Sequence, residues 1–182
     1  MSSLTGKLLI ASPQLLDPNF ARAVILMVSH DENGALGLIV NRPLEVSLQQ
    51  VVRQAMDDES IEVTGTLHGG GPCEGPLVVV HDDPNRSQIE IAPGVHFTAD
   101  RDDVEALLRD EDRSARRFFA GYAGWSSEQL EGEIEIGSWL QAPVTPKQVF
   151  DPGPRQWQKW VTILTAELKA TPEDLPDDPS LN

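Results

Sequence analysis

The segment His68-Gly69-Gly70-Gly71 has the form in which esterases turn backbone N–H groups toward a developing oxyanion, because no side chain stands in the way. Acyl transfer also needs a nucleophile on a strained G-x-S-x-G elbow. The nearest segment, Gly124-Trp125-Ser126-Ser127-Glu128, carries Glu128 where the second glycine must stand. The glycine run is therefore expected to be a tight turn between core strands, and a hydrolase centred on His68 to Pro72 is the alternative reading. His30, His68, His81 and His96 form no H-x-H, H-x-x-x-H or H-E-x-x-H pattern. His68 could meet His81 only if their strands are neighbours, and His30 has Asp31 and Glu32 beside it as oxygen donors. No metal site and no cofactor are expected. Gly6-Lys7 has Met1 where a P-loop needs its first glycine, and Gly69-x-Gly71 is followed by Glu74 instead of the third dinucleotide-binding glycine. Cys73 reads as a small apolar residue, and the acidic pair Glu133 and Glu135 reads as solvated.

What stands out instead is polar and aromatic residues beside glycine turns. Asn41-Arg42-Pro43 ends an apolar run, Gly70-Gly71-Pro72 follows His68, and Gly124-Trp125 leads to Gln129. Such positions suit a surface groove, in which Arg42 could engage a carboxylate or phosphate and Trp125 could supply an apolar wall. The candidate ligand-binding residues are Asn41, Arg42, His68, Gly70, Gly71, Trp125 and Gln129. The competing reading makes Asn41 and Arg42 caps of a hairpin, and Trp125 and Trp139 core anchors.

The elements that would position these residues follow from patterning. Residues 7–11 read as a strand stopped by Ser12-Pro13. The runs 23–28 and 36–40 are apolar at successive positions and joined through Asn33-Gly34, which predicts a central hairpin covered on both faces. Residues 44–56 place Leu44, Leu48, Val51, Val52 and Ala55 on one stripe of a helix with Ser47 as cap. Strands are expected at 61–67, 76–81, 88–91, 115–122 and 139–142. Helices are expected at 100–109, with Thr98 or Asp100 as cap, at 126–130 behind a Ser126-x-x-Gln129 capping box, and at 157–170. The acidic, proline-bearing stretch 171–182 is expected to be a disordered tail after a single domain spanning 1–170. Strands and helices are mixed without strict βαβα alternation, so the class is α+β or irregular α/β.

Composition narrows the function. The chain has 182 residues, 40% of them hydrophobic, enough for one domain with a genuine core. Asp and Glu number 29 against 14 Lys and Arg, a net charge of −15. That balance speaks against direct nucleic-acid binding and against anionic membranes. The densest basic stretch, from Arg109 to Arg117, also holds Asp110, Glu111 and Asp112 and reads as a mixed surface. One cysteine and no signal-peptide pattern make the cytoplasm the expected location.

Several segments together resemble the YqgE/AlgH family of small bacterial proteins. They are Leu4-Thr5-Gly6-Lys7-Leu8-Leu9-Ile10-Ala11-Ser12-Pro13, Leu16-Asp17-Pro18-Asn19-Phe20, Asn33-Gly34-Ala35-Leu36-Gly37-Leu38-Ile39-Val40-Asn41-Arg42-Pro43, Gly70-Gly71-Pro72 and Gly121-Tyr122-Ala123-Gly124-Trp125. Gln129-Leu130-Glu131, Glu133-Ile134 and Trp139 continue the match. The resemblance implies a bent, partly forked mixed sheet forming a barrel-like core with helices outside. It implies a loose association with regulation of exopolysaccharide production, which comes without a known ligand, catalytic set or DNA-binding element. The resulting expectation is a non-enzymatic binding or regulatory protein whose partner is a protein or a small ligand.

Overall fold

The computed structural model describes residues 3–56, 61–110, 115–153 and 155–169. In chain order the elements begin with β1 (Lys7–Ala11), β2 (Val24–Asp31), β3 (Gly34–Ile39), β4 (Pro43–Ser47), α1 (Leu48–Met56), β5 (Thr66–Gly69) and β6 (Cys73–His81). After a 3-10 turn at Pro84–Arg86 come β7 (Ile89–Ala92), β8 (Val95–Thr98), α2 (Arg101–Arg109), β9 (Arg116–Ser126), α3 (Gln129–Glu135), β10 (Trp139–Pro143), α4 (Pro146–Phe150) and α5 (Gln156–Lys169).

The apolar runs become strands buried on both faces, as continuous hydrophobicity requires. In β1 and β2, Leu8, Ile10, Val24, Leu26 and Val28 enter one core, while Leu9, Ala11, Ile25 and Met27 enter another on the opposite face. Hydrogen bonding runs β10-β1-β2-β3-β9-β6-β8-β7. Side chains from both ends of this path, Ala142 of β10 and Ile91 of β7, belong to the same first core, so the sheet must curl into a half-barrel. Helices α4 and α5 close its concave face through Val149, Trp160, Val161 and Leu164. The convex face is split: Trp125, Leu130 and Trp139 lie over one part, and α1 and α2 cover the other with Leu48, Val52, Val104, Leu107 and Leu108.

The sheet forks at β9. Its first half pairs in parallel with β5 (Leu67↔Phe118, Gly69↔Ala120), and its second half pairs antiparallel with β3 (Ala35↔Trp125, Gly37↔Ala123). Gly121, with φ +72°, sits at the change and re-phases the strand. Before it Phe119 faces the concave core and Phe118 the convex one, whereas after it Tyr122 is concave and Ala123 and Trp125 are convex.

The expected hairpin is present. Asp31 pairs with Gly34 across the loop residues Glu32 and Asn33, and a Cβ on Gly34 would lie 2.3 Å from Trp125 O. Other expectations shift. The helix expected over 44–56 starts at Leu48, because Ser47 Oγ accepts from Gln50 N (3.2 Å) while Gln50 Oε1 accepts from Ser47 N (3.2 Å). Upstream of this capping box the chain is drawn into pairing with β5 as an exposed strand, β4. The strand expected at 61–67 begins only at Thr66, since the Gln49 amide takes the backbone of Ile61 and Val63 (2.8 and 2.7 Å) that a strand partner would need. Asp100 caps α2, accepting from Asp102 N and Asp103 N. At residue 126 the strand continues, and α3 opens after Glu128 at φ +63°. The sequence patterns gave no expectation of β8 or α4. The expected tail 171–182 lies outside the described residues.

Candidate functional site

A guanidinium on the concave side of β9 organises one end of the half-barrel. Arg117 shares its face with Phe119 and lies 5.7 Å from that ring's centroid. Its Nη1 donates to Val149 O (2.8 Å) and its Nη2 to Val40 O (2.6 Å) and to His68 Nε2 (2.5 Å), tying together α4, the end of β3 and β5. Because a guanidinium only donates, His68 Nε2 must accept, which puts the imidazole proton on Nδ1 and leaves the ring neutral. Burial, reinforced by the charge of Arg117, lowers the His68 pKa to about 4. Burial also lowers Arg117 to about 10, still well above neutrality, so the cation persists.

Around this pair opens a cleft of about 590 Å³, lined also by Arg22, Asn41, Arg42, Pro43 and the segment that starts α5. Asn41 fixes one wall: its Oδ1 accepts from Val24 N (2.8 Å) and its Nδ2 donates to Arg22 O (2.8 Å). Arg42 Nη1 donates to Asn19 O (2.6 Å). Arg22, at φ +59°, places its guanidinium 5.8 Å from the Trp157 ring centroid, and Trp157 Nε1 donates to Ala11 O (2.7 Å). Arg155, at φ +58°, stands on the rim. The cleft thus gathers Arg22, Arg42, Arg117 and Arg155 with no carboxylate among its described lining residues. Among the described residues none of the four forms an ion pair.

The glycine run beside the cleft is spent on backbone structure. Gly69 N donates to Arg42 O (2.9 Å), Gly70 N donates to Ala120 O (2.8 Å), and Gly70 O accepts from Ile39 N (2.8 Å), so Gly70 bridges the fork between β3 and β9. A Cβ on Gly70 would sit 2.2 Å from Gly121 O, which explains the glycine by close backbone approach.

Of the residues singled out from sequence, Asn41, Arg42 and His68 line one cleft, whereas Gly70 and Gly71 line no part of it and pack against the backbone of Gly121 and Tyr122 at the fork. Trp125 and Gln129 line no part of it. Trp125 is buried in the convex cluster, and its Nε1 and that of Trp139 donate to the same oxygen, Glu133 Oε2 (3.0 and 2.8 Å). Gln129 Nε2 donates to Glu133 Oε1 (3.1 Å), while Gln129 Oε1 accepts from Ser126 N (3.1 Å). Glu133, read from sequence as solvated, is therefore a half-buried anchor for two indoles. Arg116 and Arg117, read as part of a mixed surface, are half-buried; Arg116 Nη1 donates to Leu107 O (2.6 Å). Sequence reasoning missed Arg117, Arg22, Arg155 and Trp157. Only the first left a signal, an arginine one alternation away from Phe119 in an aromatic strand.

The remaining histidines do not join this site. His68 and His81 lie on β5 and β6, which flank opposite edges of β9. His30 borders a second cleft of about 430 Å³ with Asp31, Glu32, Glu128 and Glu131. Its Nδ1 accepts from Leu4 N (3.1 Å), and its Nε2 lies 2.8 Å from Glu131 Oε1. The carboxyl of Glu131 is held below its ordinary range, first by its own backbone N–H and next by His30. Among the described residues no group of three or more His, Cys, Asp or Glu is placed to hold a metal ion, and no helix is long and apolar enough to cross a membrane.

Comparison with known proteins adds relatives to this geometry. The model of a family described as AlgH-like matches residues 8–169. A UPF0301 protein of Chlorobaculum tepidum is 41% identical over 162 residues, covering 86% of this chain and 84% of its own. A UPF0301 protein of Stenotrophomonas maltophilia is 39% identical over 174 residues, covering 92% of each. The solution structure of the AlgH protein from Pseudomonas aeruginosa superposes with a TM-score of 0.72 at 29% identity, covering 93% of this chain and 91% of that one. A crystal structure of a Corynebacterium diphtheriae protein gives 0.70 at 26% identity, covering 96% and 91%.

Proposed function

The chain belongs to the AlgH-like family, which carries no assigned activity, and on that premise we propose that it works in the cytoplasm as a binding protein rather than as a hydrolase. Its site is the cleft floored by Arg117 and His68 and bounded by Asn41, Arg42 and Trp157. The observation that carries this reading is the fate of the glycine amides. Gly69 N and Gly70 N donate to backbone carbonyls, so they do not form an oxyanion hole. The lining agrees: its described residues offer no serine, threonine, cysteine, lysine or carboxylate to attack a substrate, and His68 Nε2 is engaged by a cation that a general base would have to shed. Ser126 and Ser127 hydrogen-bond to Gln129 and to Glu32 O, away from this cleft. A ligand-binding protein of this kind suits the regulatory association that the family resemblance implies.

Native mass spectrometry of gently purified protein tests the proposal. A stoichiometric adduct that disappears in Arg42→Ala supports it. Turnover on ester, phosphoester or glycoside panels that vanishes in a folded His68→Ala variant overturns it.

A further inference from the structure

The charge of the cleft is at odds with the charge of the chain. A protein with net charge −15 collects Arg22, Arg42, Arg117 and Arg155 around one cavity whose described lining has no acidic side chain. Their guanidinium bonds, where the structure shows them, go to neutral groups only. Arg117 donates to Val149 O, Val40 O and His68 Nε2, and Arg42 donates to Asn19 O. A half-buried cation held by two carbonyls and a neutral imidazole has three of its five N–H donors engaged and its charge uncompensated. The protonation state of His68 matters here, because an imidazolium at Nε2 would repel Arg117, and the neutral ring lets the cation stay. The start of α5 adds to the same field. The first bond of that helix runs from Lys159 N to Arg155 O, so the positive end of a 14-residue helix faces the cleft where Gln156, Trp157 and Gln158 line it.

We propose that this cleft is a receptor for a phosphorylated small molecule, its phosphate group held at Arg42 and Arg117 and its body lying toward Arg22, Arg155 and Trp157. This rests on the binding reading above and names the ligand class. Two features favour an organic phosphate over a simple anion. A volume of about 590 Å³ matches the pockets that enclose whole metabolites and is much larger than a bare phosphate fills. Four cations around one cavity also suit a dianionic phosphoryl group, with its several acceptor oxygens, better than a single carboxylate. Arg117 on the floor and Arg42 at the boundary are held by backbone carbonyls, so little ordering remains to be done on binding.

The test is calorimetric titration of the full chain at fixed ionic strength with ribose 5-phosphate, adenosine monophosphate, pyrophosphate and inorganic phosphate, with ribose and citrate as controls. Saturable binding of an organic phosphate is expected, with no binding of ribose and weaker binding of citrate. Affinity should fall about tenfold or more in Arg42→Gln, the cost expected for losing one charge-assisted contact. Should that variant lose its fold, Arg155→Gln on the exposed rim serves, with a smaller loss and a shallower dependence on salt. Equal binding of citrate and phosphates, or no saturable binding of any phosphate, overturns the assignment. A neutral adduct in native mass spectrometry that survives Arg42→Gln would overturn the phosphate assignment while leaving the binding reading standing, whereas turnover lost in His68→Ala would remove both.

Discussion

Replacing Glu133 with alanine should cost far more stability than a surface glutamate can. Its Oε2 accepts from two indoles, Trp125 Nε1 at 3.0 Å and Trp139 Nε1 at 2.8 Å, and both rings are buried, at 5% and 4% exposure. Truncation leaves two N–H groups without an acceptor, and a buried donor left unpaired costs about 1–3 kcal/mol. Glu133 itself is half-buried, so water can reach one of the two donors, and the expected loss is about 3 kcal/mol in place of the sum of two full penalties. Glu133→Gln keeps a carbonyl oxygen at the same place and gives up only the charge assistance, about 1 kcal/mol. Urea unfolding followed by far-ultraviolet circular dichroism reads both variants without depending on the indoles whose surroundings change. Trp139→Phe made in the Glu133→Ala background should cost less than Trp139→Phe alone, because the bond it removes is already lost. If Glu133→Ala and Glu133→Gln lose the same amount, or alanine costs less than about 1 kcal/mol, the carboxylate is not what holds the indoles and the argument fails.

Further outcomes follow from the fork and the cleft. Gly70→Ala must move backbone, since its Cβ would meet Gly121 O at 2.2 Å; a loss of about 2–4 kcal/mol in urea unfolding is expected, and a loss below 1 would show that the fork yields. His68 makes stability depend on pH because its pKa is about 4 folded against 6.5 for the free side chain. The unfolded chain takes up a proton that the folded chain refuses, so stability present above pH 6.5 is lost as pH falls toward 4. After discounting for the partial exposure of the ring this amounts to roughly 1–2 kcal/mol, and His68→Gln should lack that part of the acid-side slope. Identical slopes in urea series at pH 7, 6, 5 and 4.5 would contradict it. Arg117→Met strands Val40 O and Val149 O, and a loss of about 2–4 kcal/mol in thermal or urea unfolding is expected; an unchanged midpoint would mean that the three tethers carry no net stability.

The central hairpin was legible because burial on both faces leaves an unbroken apolar run, whereas the barrel-like curl of the sheet was implied only by the family resemblance. Leu44 misled because Leu44 and Leu48 are spaced as on a helix, while the capping box at Ser47 and Gln50, visible in the same stretch, fixes the start of α1 at Leu48. Ile61 misled because a side chain far along the chain, Gln49, takes the bonds a neighbouring strand would make. At the site, Asn41, Arg42 and His68 could be suggested by their place beside turns. Arg22, Arg155 and Trp157 reach the cleft only through the packing of α5 against the concave face, a relation between residues over a hundred positions apart that no local pattern encodes. Trp125 and Gln129 stood beside a glycine in sequence but follow the change of face at Gly121, which puts Trp125 on the convex side.

The change of face at Gly121 makes β9 a strand whose length is fixed as strictly as its composition. Gly121 is the position at which odd residues stop facing inward and even ones start, and a Cβ there would lie 2.7 Å from Cys73 O. Straighten the strand there without shortening it, and continuous alternation can keep Arg117 over the cleft only by turning Trp125 away from Glu133, or keep Trp125 only by pointing Arg117 outward. Point substitutions elsewhere in β9 are tolerated or not according to size and polarity. A single-residue deletion or insertion between Arg117 and Trp125 that spares Gly121 instead uncouples the two halves of the molecule, so relatives that keep the glycine, the cleft and the indole anchor are expected to vary in sequence along this strand and not in residue count.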